Sequence, residues 1–146
     1  MKEKVIISAC LLGIDCRYDG KNNRLPAETL RALNEKYCLI PVCPECFGGM
    51  STPRTPSERV GDRVLSRDGD DVTRQFESGA EAAVLLARQS GAKLAILKEN
   101  SPSCGSGGIY DGSFSGRIIP GKGVTGEMLA AAGLHTVSEN GVGELI

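Results

Sequence analysis

The sequence predicts a single α/β domain, a mostly parallel sheet flanked by helices, and three observations support this prediction. Apolar runs with strand character alternate with amphipathic stretches of helical periodicity. Their order is β-α-β-α-β, a hairpin and then α-β, which is typical of parallel sheets with right-handed crossovers. The length of 146 residues suits one domain, and no linker or internal repeat divides the chain. We therefore expect one Rossmann-like or flavodoxin-like domain over residues 1–146.

Helices and strands alternate through the first two thirds of the chain. Residues 26–37 read as a helix with Pro26 in the first turn. The clearest helix spans 72–90, with Asp71 as the N-cap and Gly91 just beyond its end. One face of that helix is apolar, formed by Val72, Phe76, Ala80, Ala83, Val84 and Ala87. Three short apolar runs are predicted as buried strands: 4–9, 38–42 and 93–98.

The rest of the chain is rich in turns. A small hairpin after the third strand is predicted around 112–116, followed by a helix capped by Thr125 and a short strand over 135–138. Residues 44–71 contain three prolines and several Gly-Asp turns, so we predict a mostly irregular segment there. Long irregular segments in small domains are usually functional or mobile.

Charge and composition exclude several classes of protein. The chain has 17 Lys and Arg against 18 Asp and Glu, so it lacks the overall basic charge that is typical of a nucleic-acid binder. The opening MKEKVIISA has too few apolar residues for a signal peptide or a membrane span. We therefore expect a cytoplasmic protein with no membrane partner. In that reducing compartment, six cysteines favour metal binding or catalysis over disulfides.

Three of the six cysteines follow predicted strands: Cys10, Cys43 and Cys104. The carboxyl ends of parallel strands meet at one edge of a sheet, where ligands bind. If these strands are neighbours, a spacing of about 5 Å brings their loops together. We predict that the three thiols share one metal or cluster site. Cys16 is either an auxiliary thiol beside that site or a bystander.

The other cysteines leave alternatives open. Cys38 lies inside a strand and is most simply a buried core side chain. Cys43 and Cys46 form a C-x-x-C pair, but the following FGGMSTPRTP does not favour the helix that a dithiol redox motif needs. A four-thiolate zinc site could include Cys46, although no second such pair is present. Cys10 and Arg17 could belong to the phosphate loop of a cysteine phosphatase, but six residues separate them, which is one more than that loop has.

Four stretches in a fixed order resemble a known family: SACLLGIDCRYDG (8–20), PVCPECFGGMSTPRTPSE (41–58), DVTRQFESGAE (71–81) and LKENSPSCGSGGIYDGSFSG (97–116), with GVT at 123–125. Together they resemble the thiouracil desulfidase (TudS) family over nearly the whole chain. The resemblance implies a [4Fe-4S] enzyme that removes sulfur from thiolated uracil compounds without net redox change and releases hydrosulfide. It also implies that Cys10, Cys43 and Cys104 bind three irons, while the fourth iron has no protein ligand.

The implied chemistry indicates further site residues. An open iron could accept the soft thiocarbonyl sulfur and polarise its carbon for attack by water. Glu45, two residues after Cys43, is the expected base, and the resemblance points to the same residue. Ser101 is the second catalytic candidate, as a hydrogen-bond donor or proton carrier, unless it only caps backbone groups. We expect Ser103 and Asn100 to orient the uracil edge.

The arginines in residues 51–67 permit two interpretations. They could form a solvated, self-paired surface, or they could bind a phosphate. We expect Arg54, together with Arg17, to contact the phosphate of a substrate such as 4-thiouridine monophosphate. The resemblance favours a small thiolated pyrimidine over thiolated tRNA, because members linked to tRNA have an additional domain. The alternative function is a non-catalytic metal or iron–sulfur binding module in sulfur delivery or sensing.

Overall fold

A parallel four-stranded sheet lies between two layers of helix in the computed structural model, which describes all 146 residues. Two 3₁₀ segments, Ala9–Leu12 and Glu139–Glu144, complete the secondary structure. None of the helices has the length and apolar character needed to cross a membrane. In chain order the strands and helices are β1 (Glu3–Ser8), α1 (Ala27–Lys36), β2 (Tyr37–Val42), α2 (Pro44–Phe47), β3 (Ser57–Val60), β4 (Arg63–Ser66), α3 (Thr73–Ser90), β5 (Leu94–Leu97), β6 (Gly108–Tyr110), β7 (Ile118–Pro120), α4 (Val124–Ala131) and β8 (His135–Ser138).

The main sheet has the order β2-β1-β5-β8, and every neighbouring pair is parallel. This order matches the first four strands of a flavodoxin-like sheet. The strand order reverses between β1 and β5, which is the position where open α/β sheets bind ligands. The predicted α/β fold and the hairpin after the third strand, β6–β7, are both confirmed.

The core lies on both faces of β1, because successive side chains of a strand point to opposite faces. Ile6 packs on one face with Leu129 of α4. Val5 packs on the other face with Leu33 of α1 and with Val142 of the C-terminal 3₁₀ segment. The predicted apolar face of α3 is buried as expected. A central strand covered on both faces gives the carboxyl edge of the sheet a fixed position.

The prediction of a mostly irregular 44–71 segment was wrong at two places. Residues Pro44–Phe47 form α2, a one-turn helix that begins before the FGGMSTPRTP stretch, so that stretch did not exclude a helix next to Cys43. Strands β3 and β4 form an antiparallel hairpin in which Ser57 lies opposite Ser66. Elements of four residues are too short to show a periodicity, which explains why the sequence did not reveal them.

The predicted N-caps of two helices also need correction. Helix α3 begins at Thr73 with Val72 in the N-cap position, although the Asp71 carboxylate accepts a 3.0 Å hydrogen bond from the N–H of Thr73. Helix α4 has Gly123 as its N-cap, because the extended backbone of Gly123 starts the helix before Thr125, whose side chain is fully buried in the first turn.

Cys38 is exposed rather than buried. It lies on β2, which is an edge strand of the sheet. The buried positions of β2 are taken by Tyr37 and Val42, at the two ends of the strand. Cys38 therefore contributes neither to the core nor to the carboxyl edge.

Candidate functional site

A cavity of about 520 Å³ opens at the carboxyl edge of the main sheet. The loops after β1, β2 and β5 form one part of its wall, and the two hairpins contribute another. Its volume falls within the range of small-molecule sites. Every site residue predicted from the sequence lines this cavity: Cys10, Cys43, Cys104, Glu45, Ser101, Ser103, Asn100, Arg17 and Arg54.

The three strand-end thiols reach the cavity from neighbouring strands. Cys10 lies in the 3₁₀ segment directly after β1, Cys43 directly follows β2, and Cys104 lies in the turn after β5. The expectation that these strands are neighbours is confirmed by the order β2-β1-β5. Cys16 also lines the cavity, whereas Cys46 does not and instead contacts the Thr52 hydroxyl at 3.5 Å. Cys46 thus stays outside the cavity wall, although its thiol lies within hydrogen-bond reach of the Cys43 thiol.

Glu45 presents a fixed carboxylate at the start of α2. Its Oε1 accepts a hydrogen bond from Arg54 Nε at 3.1 Å, and its Oε2 accepts one from Ser103 Oγ at 3.0 Å. Only 15% of the Glu45 side chain and 6% of the Arg54 side chain are exposed. A buried carboxylate needs partners of this kind, because unpaired charge is costly away from water. Glu45 therefore has one orientation, held from both sides.

Two serines extend the hydrogen bonding from Glu45. Ser103 donates its only hydroxyl proton to Glu45, so it accepts from Ser101 Oγ, which lies 3.0 Å away. Ser101 Oγ also accepts hydrogen bonds from the N–H groups of Ser103 and Cys104, at 3.2 and 3.1 Å. Ser101 thus caps the turn and also completes a continuous chain of hydroxyl groups that leads to Glu45.

The two arginines predicted to bind phosphate already have acceptors within the protein. Each side-chain nitrogen of Arg54 donates a hydrogen bond, including one from Nη2 to the carbonyl of Cys16 at 2.9 Å. Arg17 forms an ion pair with Asp19 and donates to Asn23 Oδ1 at 2.9 Å. Both line the cavity, but a phosphate would have to compete with these partners. Their role in phosphate binding stays a prediction.

A comparison with known proteins identifies the family. The model of the 2-thiouracil desulfurase family matches residues 5–141. The chain belongs to the 2-thiouracil desulfurase family. The uncharacterized protein YbbK of Bacillus subtilis (strain 168) is 40% identical in an alignment of 152 positions that covers 97% of this chain and 99% of YbbK. The solved structure of TudS, a [4Fe-4S]-dependent thiouracil desulfidase, is 46% identical, superposes with a TM-score of 0.94, and is matched over 99% of this chain and 95% of TudS.

Family membership confirms the resemblance seen in the four motifs. The chain is therefore an enzyme, as the family and the structure of TudS indicate. Three of these motifs line the cavity. SACLLG supplies the turn after β1, PVCPE the start of α2, and SPSCG the turn after β5. Three of the four stretches that resemble the family, 8–20, 41–58 and 97–116, therefore build the candidate site of the desulfurase chain, whereas 71–81 supplies no lining residue.

The loop around Cys104 is organised by Glu99, which sequence reasoning missed. The carboxylate of Glu99 accepts hydrogen bonds from the N–H groups of Ser106 and Gly107, at 2.9 and 3.2 Å. Partial burial raises the pKa of Glu99, but these and neighbouring N–H groups outweigh it and hold the pKa below its ordinary value. Next to it, Asn100 adopts φ 68°, a left-handed conformation that asparagine tolerates. The only feature of the sequence that pointed to a tightly folded loop here was the run of glycines after Cys104.

The hairpins supply a wall of the desulfurase cavity that the sequence did not reveal. Tyr110 and Phe114 line it from the β6–β7 hairpin, and Glu58 and Arg67 line it from the β3–β4 hairpin. Glu58 is only 8% exposed, and its Oε1 accepts hydrogen bonds from the N–H groups of Gly112 at 2.9 Å and Phe114 at 3.1 Å. These bonds join the two hairpins. They could not be foreseen because β3–β4 itself was not predicted.

Proposed function

We propose that the chain is a [4Fe-4S]-dependent desulfidase, which converts a thiolated uracil compound to the oxo form and releases hydrosulfide. The observation that most supports this function is the buried Glu45 carboxylate, held by Arg54 and Ser103 beside three strand-end thiols in one cavity. Membership of the 2-thiouracil desulfurase family supports the reaction class. The likeness to TudS, described as [4Fe-4S]-dependent, supports the cofactor.

The thiols fit an iron–sulfur cluster better than a single metal ion. No three His, Cys, Asp or Glu side chains are arranged to hold one ion, so the geometry offers no support for the zinc alternative. A cluster does not need such convergence, because each thiolate binds a different iron around its perimeter. Thiolates spaced around a cavity also provide the soft ligands that iron–sulfur centres require. We propose Cys10, Cys43 and Cys104 as the three ligands.

Without metal, these thiols remain protonated. Burial raises the pKa of Cys10, and it raises the pKa of Cys104 to about 12. The pKa of Cys43 is raised as well, first by its hydrogen bond with Cys16 and then by burial. Uncharged thiols do not repel one another, so they can share one cavity. Binding of metal then displaces their protons.

The residues of the chain can perform the proton transfers of the reaction. When bound, a cluster with three protein ligands supplies an open iron that acts as a Lewis acid towards the thiocarbonyl sulfur. Glu45 accepts a proton from the water that attacks the carbon, using a lone pair not engaged by Arg54 or Ser103. In the structure the Ser103 and Ser101 hydroxyl protons point towards Glu45, so these hydroxyls can carry that proton onward only after both have rotated. The water oxygen stays on the carbon and sulfur leaves as hydrosulfide, so no oxidant or reductant is consumed.

The proposal extends to a small thiolated pyrimidine as the substrate, either thiouracil or a nucleotide such as 4-thiouridine monophosphate. A cavity of about 520 Å³ lies in the range of sites for molecules of this size. We also propose a cytoplasmic location, since all six cysteines are free thiols and reducing compartments preserve them. Thiolated tRNA is the less favoured substrate.

The proposed function is tested by replacing the base. Protein reconstituted with iron and sulfide under anaerobic conditions is assayed for loss of thione absorbance and for hydrosulfide. We expect Glu45→Gln to lower turnover by about 100-fold or more, because a positioned base contributes about 10² to 10⁴ to the rate. Iron content should stay equal to that of wild type. Glu81→Gln, an exposed glutamate on α3, is the matched control and should keep full turnover.

One outcome would contradict the proposed function, and another would contradict only the proposed base. A stable cluster with no turnover of any thiolated uracil compound would favour the non-catalytic binding module. Full turnover by Glu45→Gln would remove the proposed base while leaving the reaction class intact. A Cys46→Ala variant should retain its iron, because Cys46 lies outside the cavity wall.

A further inference from the structure

Phe114 has a backbone conformation that phenylalanine rarely adopts. It lies in the loop between β6 and β7 with φ 55°, in the left-handed region that usually belongs to glycine or asparagine. The Glu58 carboxylate holds this loop by accepting hydrogen bonds from the N–H groups of Phe114 and Gly112. A strained position that persists at the wall of a cavity indicates a functional constraint on the side chain.

The ring of Phe114 is half-buried and lines the same cavity as the thiols and Glu45. Tyr110, on the same hairpin, also lines the cavity. An aromatic ring held rigidly at the wall of a cavity is a stacking surface for a flat heterocycle, whichever base that heterocycle is. The two hairpins therefore offer the proposed substrate an apolar platform, separate from the polar groups around Glu45.

Arg67 is the cation of the cavity that has no acceptor within the protein. Arg17, Arg54 and Lys98 also line the cavity, but each forms an ion pair with a carboxylate. The guanidinium of Arg67 instead lies over the ring of Phe114, with its central carbon 5.6 Å from the ring centroid. Its N–H groups remain available to an anion, and arginine binds phosphate through two parallel hydrogen bonds.

We infer that Phe114 and Arg67 together select the substrate: Phe114 stacks on the thiolated pyrimidine ring, and Arg67 binds an anionic substituent such as a 5′-phosphate. This inference rests on the proposed function and deepens it, because it names the residues that recognise the ring and the anionic substituent of the substrate. It also gives the phosphate contact to Arg67 rather than to the paired Arg17 and Arg54.

The contribution of Phe114 is tested with two substitutions. Phe114→Asn removes the ring but suits a left-handed backbone, so the variant should unfold at the same temperature as wild type or higher. Its KM for 4-thiouridine monophosphate should rise by about tenfold, as expected for one lost stacking contact. Phe114→Trp should keep the wild-type KM. An unchanged KM in Phe114→Asn would overturn the stacking role.

The contribution of Arg67 is tested by comparing a nucleotide with a nucleoside. Arg67→Gln should raise KM for 4-thiouridine monophosphate by about tenfold and leave KM for 4-thiouridine unchanged, because only the nucleotide carries the anion. Arg63→Gln is the matched control, since Arg63 lies on the same hairpin but does not line the cavity. Equal effects of Arg67→Gln on both substrates would overturn the phosphate contact.

A binding measurement separates this inference from the proposed function. The cluster-loaded protein is titrated with uridine 5′-monophosphate and with uridine, neither of which can be desulfurised. Wild type should bind the nucleotide at least tenfold more tightly, and Arg67→Gln should lose this preference. Absence of any preference in wild type would overturn the inference even if turnover is observed. Conversely, a preference without turnover would support the inference and contradict the proposed reaction.

Discussion

Ser103 links the proposed base to the proposed metal-ligand loop. Its Oγ lies 3.0 Å from Glu45 Oε2 and 3.8 Å from Cys104 Sγ, and the residue is almost fully buried. Ser103→Ala would leave one carboxylate oxygen of Glu45 without its donor. A hydrogen bond to a charged group contributes about 1.5–3 kcal/mol. We therefore expect turnover to fall by at least tenfold, with iron content unchanged, as measured by hydrosulfide release and iron analysis.

Ser101→Ala should behave differently, although Ser101 is the next hydroxyl in the same chain. Its Oγ accepts hydrogen bonds from two backbone N–H groups, one of them that of Cys104. Removing it would loosen the turn that presents Cys104, so iron content should fall together with turnover. The same iron loss in both variants would argue that Ser103 is only a structural residue.

At the residue scale, the sequence revealed the three strand-end thiols and the polar residues beside them, but not how these side chains are connected. Cys10, Cys43 and Cys104 could be placed because each follows a strand, and strand ends in parallel sheets share an edge. The contact between Glu45 and Ser103 joins residues that are 58 positions apart in the chain. It depends on how the helix carrying Glu45 packs beside the β5 loop, and no local pattern encodes that packing.

At the scale of secondary-structure elements, helix α3 approaches α2 so closely that a side chain at Gly79 has no room. A Cβ atom there would lie 1.7 Å from the carbonyl oxygen of Pro44, which separates Cys43 from Glu45. Helix α4 also packs closely at a glycine, because a Cβ on Gly126 would lie 2.3 Å from the carbonyl oxygen of Gly105. Glycines on two helices thus allow close contact with the loops that carry the proposed ligands.

Gly79→Ala should therefore damage the site despite the better helix propensity of alanine. Backbone atoms have to move, and such overpacking typically costs about 1–3 kcal/mol or more. We expect a lower unfolding temperature and a lower iron content after reconstitution. Ser78→Ala changes the neighbouring exposed position of α3 and should leave both quantities unchanged. Normal iron content in Gly79→Ala would show that α2 can shift without disturbing the thiols.

At the scale of the whole molecule, Glu99 connects the β5 loop to the C-terminal segment. Its N–H donates to Glu139 Oε1 at 2.7 Å, while its own carboxylate organises the loop around Cys104. Lys98 adds an ion pair with Glu139 at 2.8 Å. The C-terminal 3₁₀ segment is thereby joined to the carboxyl edge of the sheet, on the side of the core that contains Val142.

The charge of Glu99 makes the stability of the whole protein sensitive to acid. Its pKa is held below the ordinary value of 4.5, so the folded protein binds this proton less tightly than the unfolded chain. The contribution is fully present above pH 4.5 and is lost as the pH falls through the lowered pKa. In urea unfolding of cluster-free protein, Glu99→Gln should be less stable than wild type at pH 7. This difference should narrow below pH 4.5, and a constant difference would contradict the assignment.

The overall architecture was predictable because its signals are local. Apolar runs and helical periodicity fix the alternation of strand and helix, and the handedness of crossovers then leads to a parallel sheet. The β3–β4 hairpin was missed because four-residue strands carry no period. Its attachment through Glu58 to the β6–β7 loop was missed with it, and so was the cavity wall that includes Phe114 and Arg67.

The distance along the chain between Cys10 and Cys104 has a consequence for how the enzyme is made. The first thiol leaves the ribosome long before the third, roughly 5–20 s earlier at typical rates of synthesis. The central strand β1 cannot pair with β5 until that later segment has emerged. A cluster held by all three thiols would therefore be completed only after β5 and the loop that follows it have emerged.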